Sequence, residues 1–150
     1  MSTRSRIGLM LEDGTIKHSY CQHDGYPEGV GYTLIRNYSD IDIVKELLSF
    51  GDMSCLEEKI HPSGIHNFEI YEKDVTLFYG RDRGDSDADA KVTSMEEFES
   101  IKFNSCIEYL YLFSEGKWFV KDLFDNQGWK LVKGYFSEYT LTEEELSCSI

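Results

Sequence analysis

Apolar and polar residues alternate along Ser5–Leu11 and again along Thr15–Cys21, with Asp13-Gly14 between the two runs. Alternation of period two predicts a β-hairpin, and Asp-Gly supplies the positive φ that a two-residue turn requires. Such a turn fixes the register by counting. Leu11 then faces Ile16, Leu9 faces His18 and Ile7 faces Tyr20, all on the side turned to the core. The opposite side presents Met10 beside Lys17, Gly8 beside Ser19, Arg6 beside Cys21 and Arg4 beside His23. Gly8 would leave room there for a ligand.

Further on, the period lengthens. Val30, Leu34, Ile35 and Tyr38 share one side of a helix over residues 28–38, which Pro27 precedes and Gly29 and Gly31 weaken. Ser39 or Asp40 can cap a second helix carrying Ile43, Val44, Leu47 and Leu48, ending at Gly51. Residues 52–66 carry Pro62 and Gly64 and read as a loop. Two strands are expected over 66–71 and 75–81, followed by an acidic loop over 82–90. Ser94 and Glu97 form a capping box ahead of a short helix over 95–101. Residues 107–113 and 118–124 make a second hairpin around Glu115-Gly116, apolar on both faces and hence central to a sheet. A last strand spans 129–136. The sequence therefore predicts a single α+β domain over residues 1–139, mainly an antiparallel sheet of about five to seven strands with two or three helices packed on one face. Residues 140–150 form a polar tail.

Composition narrows the function. A chain of 150 residues with 41% hydrophobic positions builds a core without metal or disulfides. Asp and Glu number 28 against 15 Lys and Arg, for a formal charge of −13. That balance disfavours binding of polymeric nucleic acid, which runs on cationic side chains displacing counterions. No apolar run has the length of a membrane span, and no leader pattern opens the chain. The four cysteines are widely spaced. They are expected to be reduced thiols in a cytoplasmic protein, and no cofactor or metal set is indicated.

Only five arginines occur, and four of them form two Arg-x-Arg pairs, Arg4/Arg6 and Arg81/Arg83. On a strand this spacing turns both guanidiniums to one face, and paired guanidiniums suit phosphate or carboxylate. Tyr20, Tyr26 and Tyr79 offer rings on which a base could stack. With Cys21 and His23 beside the first pair, the candidate site comprises Arg4, Arg6, Tyr20, Cys21, His23, Tyr26, Tyr79, Arg81 and Arg83. Its implied ligand is a small anionic nucleotide. A thiol next to Arg6 would gain thiolate character, so an enzymatic version would use His23, Cys21 and Asp24. The carboxylates of residues 82–99 suggest instead an acidic imitation of DNA that engages a basic protein.

The opening Thr3-Arg4-Ser5, the segment Tyr20-Cys21-Gln22-His23-Asp24-Gly25-Tyr26-Pro27, the stretch at 47–52 and Tyr79-Gly80-Arg81-Asp82-Arg83-Gly84 resemble a family of small phage-encoded proteins. In that family Gln22 is more often His and His23 more often aromatic. The resemblance implies a phage accessory protein acting against host defence inside the host cell. Its expected action is sequestration of a small nucleotide-type signal. The alternatives are inhibition of a basic host defence protein and hydrolysis of a nucleotide. Assembly into a homo-oligomer would be a further way to complete a pocket.

Overall fold

The computed structural model describes residues 2–102, 106–125 and 127–136. The chain starts with the expected hairpin, β1 (Arg4–Met10) and β2 (Ile16–Cys21). A π-helical turn (Pro27–Gly31) leads directly into α1 (Tyr32–Asn37), and α2 (Ile41–Ser49) follows. Asp40 caps α2 as predicted, its Oδ1 accepting from the Asp42 N–H at 2.8 Å. Val44, Leu47 and Leu48 are buried by this helix, each contributing about 1.5–3 kcal/mol of apolar burial. Next come β3 (Met53–Cys55), β4 (Leu77–Phe78), α3 (Tyr79–Arg83), β5 (Lys91–Thr93) and α4 (Met95–Glu99). The described chain finishes with β6 (Ile107–Ser114), β7 (Lys117–Asp122), β8 (Trp129–Leu131) and a 3-10 turn over Val132–Phe136. The polar tail over 140–150 lies outside the described residues.

The eight strands form one mixed sheet in the order β4-β3-β2-β1-β6-β7-β8, with β5 also paired to β2. The α+β reading holds, with a sheet somewhat larger than expected. β6 lies at its centre, as its two apolar faces require. It pairs parallel to β1 and antiparallel to β7. One face of the sheet, carrying Ile7, Leu9, Tyr111 and Val120, buries α1 and α2. The other face, carrying Ile16, Leu110 and Leu112, is covered by Phe98 of α4. Polar tips of buried aromatics tie the layers together: Tyr111 Oη donates to the Gly25 carbonyl at 2.6 Å and Trp118 Nε1 to the Tyr38 carbonyl at 2.7 Å.

Two departures from the expected elements bear on the site. Residues 66–71 are loop, because the Asn67 side chain accepts from the Glu69 and Ile70 N–H groups and turns the chain. The strand expected over 75–81 ends at Phe78, and Tyr79–Arg83 is helical, closing on Gly84 at φ 79°. The last strand is likewise shorter than expected, giving way to the 3-10 turn after Leu131.

Candidate functional site

The first hairpin turns through three residues, not two. Leu11 N–H donates to the Thr15 carbonyl at 2.8 Å and Gly14 N–H to the Leu11 carbonyl at 3.0 Å, with Gly14 at φ 86°. Asp13 Oδ1 accepts from the Thr15 N–H and from Thr15 Oγ1, which stiffens the loop. The extra residue moves the register by one, so Gly8 faces His18, Ile7 faces Ser19, Arg6 faces Tyr20 and Ser5 faces Cys21. A slip of one residue sends each strand's partners to the other face. Arg6 is therefore beside His18 and Tyr20, while Cys21 turns into the main core with no exposure.

Three expectations are corrected by this register. Cys21 does not line a site with Arg6. Its thiol is raised to about 12 by burial, the opposite of an activated nucleophile, and Sγ donates to the His23 carbonyl at 3.6 Å. Gly8 leaves no room for a ligand: a Cβ there would lie 2.9 Å from Ile16 Cγ2 and 3.1 Å from Phe98 Cζ. His23 does not face Arg4 across the hairpin, which ends at Cys21; its Nδ1 is 2.8 Å from Ser2 Oγ.

The face that does carry Arg6 opens into a cleft of about 510 Å³. Arg6, His18 and Tyr20 form its floor, Lys91 and Thr93 of β5 and Glu97 of α4 rise beside them, and Ser100, Ile101 and Ile107 complete the lining. The volume falls in the range of small-molecule sites. Arg6 Nε donates to His18 Nδ1 at 2.8 Å, and Nη2 reaches the His18 carbonyl at 3.4 Å. Since a guanidinium only donates, His18 Nδ1 must be the unprotonated nitrogen, and Nε2–H donates to Thr93 Oγ1 at 3.1 Å. The imidazole is 3% exposed and packs on the Phe98 ring with centroids 4.8 Å apart. Burial first, then the charges of Arg6 and Lys91, lowers its pKa to about 4. His18 is therefore neutral at physiological pH, and Arg6 keeps its charge uncompensated by its closest partner.

No described carboxylate comes within ion-pair distance of Arg6. Of the charges acting on Arg6, that of Asp52 has the largest effect, and Asp52 has a separate duty. β2 pairs with β3 only at Cys21 and with β5 only at Ile16–His18, which leaves a gap at Tyr20. Asp52 Oδ1 fills it, accepting from the Tyr20 N–H at 2.9 Å. Burial raises the Asp52 pKa, against the opposing pull of that hydrogen bond and of Arg6. Burial likewise lowers the Arg6 pKa, opposed by Asp52 and Tyr20. Arg4 is not among the residues that line the cleft; its Nε donates to Tyr20 Oη at 2.8 Å. That bond occupies an acceptor site of the phenol and leaves its O–H to donate elsewhere.

The other expected site residues are placed apart from this cleft. Arg81 donates to both carboxylate oxygens of Asp82 and to the Ile60 and Thr76 carbonyls, with its guanidinium over the Phe50 and Phe78 rings. Arg83 makes a two-point pair with Asp85 and lies over the rings of Phe68 and Tyr79. Tyr79 Oη donates to Gln22 Oε1 and stacks on Phe68. Tyr26 Oη donates to Asp24 Oδ1, and Asp24 itself sits at φ 57° in the turn before the π-helical segment. Four polar lining groups, Lys91, Thr93, Glu97 and Ser100, escape sequence reading. Lys91 and Thr93 lie in a strand that the sequence pattern does not indicate, and the Ser94–Glu97 cap does not say what its helix packs against.

Among the described residues no group of three or more His, Cys, Asp or Glu is placed to hold a metal, and Cys21, Cys55 and Cys106 are free thiols. No described helix is long and apolar enough to cross a membrane. No known protein family, curated protein or solved structure matches the chain.

Proposed function

We propose that the cleft floored by Arg6 binds a small anionic nucleotide-type ligand and holds it without chemical change. The observation that carries this reading is a half-buried guanidinium in a cleft, partnered by a neutral imidazole, in a chain of charge −13 where carboxylates are plentiful. Leaving such a charge unpaired is costly unless an anion completes it. Lys91 on the neighbouring wall adds a second cation. In the phage setting implied by the sequence motifs, this is sequestration of a host signal. The hydrolase alternative loses its thiolate, because Cys21 is buried away from the cleft. The DNA-mimic alternative loses part of its phosphate-like row, because Asp82 is buried against Arg81 and Asp85 is held by Arg83.

The test is titration calorimetry with nucleoside mono- and diphosphates and ADP-ribose, on the wild-type protein and on Arg6→Met. Binding is expected for the wild type, with at least a hundredfold weakening in the variant, which should keep a native circular-dichroism spectrum although loss of the donor to the buried His18 Nδ1 lowers its thermal midpoint. After denaturation the ligand should be recovered intact; recovery of cleaved products would make the protein an enzyme. Equal binding by Arg6→Met, or none by the wild type, would remove the proposal.

A further inference from the structure

The cleft is chemically lopsided, and the lopsidedness defines its ligand more closely. Its cations are Arg6 and Lys91, and the Tyr20 O–H is left to donate within the same lining. Glu97 and Ile101 line the same cleft. The Glu97 carboxylate makes no ion pair with any described residue; its hydrogen bonds are made by the backbone, the N–H donating to Ser94 Oγ at 3.0 Å and the carbonyl accepting from Ser100 Oγ at 2.6 Å. An ionised carboxylate is purely an acceptor. In an anion site it repels the ligand's charge, so it contributes only if the ligand carries donors at a distance from its phosphate. A pair of adjacent hydroxyls meets the two carboxylate oxygens, and an apolar body fits against Ile101.

Resting on the proposed nucleotide site, we infer that the ligand is a 5′-phosphorylated ribonucleoside with a free 2′,3′-diol, its phosphate on Arg6 and its diol on Glu97. A 3′,5′-cyclic phosphate, whose 3′ oxygen is esterified, would lack one of the two donors. Glu97 is thereby the residue that sets specificity, while Arg6 sets affinity.

The experiment measures dissociation constants for the four ribonucleoside 5′-monophosphates, their 2′-deoxy forms and the matching 3′,5′-cyclic monophosphates. Wild-type protein is expected to favour at least one ribo form about tenfold over its deoxy and cyclic counterparts. In Glu97→Ala that ratio should fall to about one. Removing a carboxylate also eases repulsion of every phosphate, but this effect cancels in the ratio. Glu97 lies on the exposed side of α4, so the substitution leaves the core intact. A wild-type ratio of one, or a ratio that survives Glu97→Ala, overturns the diol assignment while leaving the Arg6 anion site standing. Failure of all the nucleotides to bind, with inorganic phosphate failing too, overturns the site itself.

Discussion

Two pairs of arginines share the same spacing and meet opposite fates. Arg81 and Arg83 lie in α3, where residues two apart point in widely different directions, and each is consumed by a carboxylate of its own segment. Arg4 and Arg6 lie on β1, where the same spacing keeps both on one face, and each donates to a neutral ring group, a phenol and an imidazole. The first pair spends its charge within the fold. The second keeps it free of carboxylate partners among the described residues, Arg6 in the lining of the cleft. The difference teaches that arginine spacing carries no functional meaning until the backbone period and the nearest acceptors are known.

The contrast can be broken first at Arg81. Arg81→Met should lower stability by about 3 kcal/mol or more, because Asp82, with a side chain 3% exposed, would lose its buried counter-charge. Chemical denaturation measures this, and a loss below ~1 kcal/mol would show that the Phe78 N–H, which donates to Asp82 Oδ2 at 2.8 Å, suffices alone.

A second, smaller effect sharpens the role of His18. Its folded pKa of about 4 lies below the ordinary histidine value, so the unfolded chain binds the extra proton between those two values. Stability from keeping His18 neutral is full above the unfolded pKa and falls as pH drops toward the folded one. Between pH 7 and 5 the loss should be about 2 kcal/mol. His18→Gln, which cannot take up a proton, should flatten that part of the stability–pH curve. An unchanged slope in the variant would mean that the imidazole does not carry the effect.

The smallest change is expected at Arg83. Its pair with Asp85 is half exposed, so Arg83→Ala should leave the thermal midpoint indistinguishable from wild type at physiological salt. A clear drop would mean that its stacking on Phe68 and Tyr79, rather than its charge, is structural.

Much of the architecture could be read from local pattern. Both hairpins, the Asp40-capped helix and the buried central strand follow from alternation, caps and apolar runs that act over a few residues. The register of the first hairpin did not follow, because Asp13-Gly14 is compatible with a two-residue turn and with the three-residue loop that Asp13 and Thr15 stabilise through their side chains. That single residue decided whether Arg6 would meet a thiol or an imidazole. The cleft was half legible: Arg6 and Tyr20 stood out by residue type and spacing. Lys91, Thr93 and Glu97 reach them only because β5 pairs with β2 across some seventy residues of chain, and no local preference encodes that contact.

The parallel union of β1 with β6 has a consequence for how the protein is made. β1 must wait for residues beyond 106 before its second edge is covered. During synthesis the early hairpin therefore offers an unsatisfied edge to any extended chain nearby, and the long separation of its partners slows closure. Residues 12–52 carry eight Asp and Glu against three Lys and Arg, and that net negative charge disfavours the approach of a second such chain to the open edge.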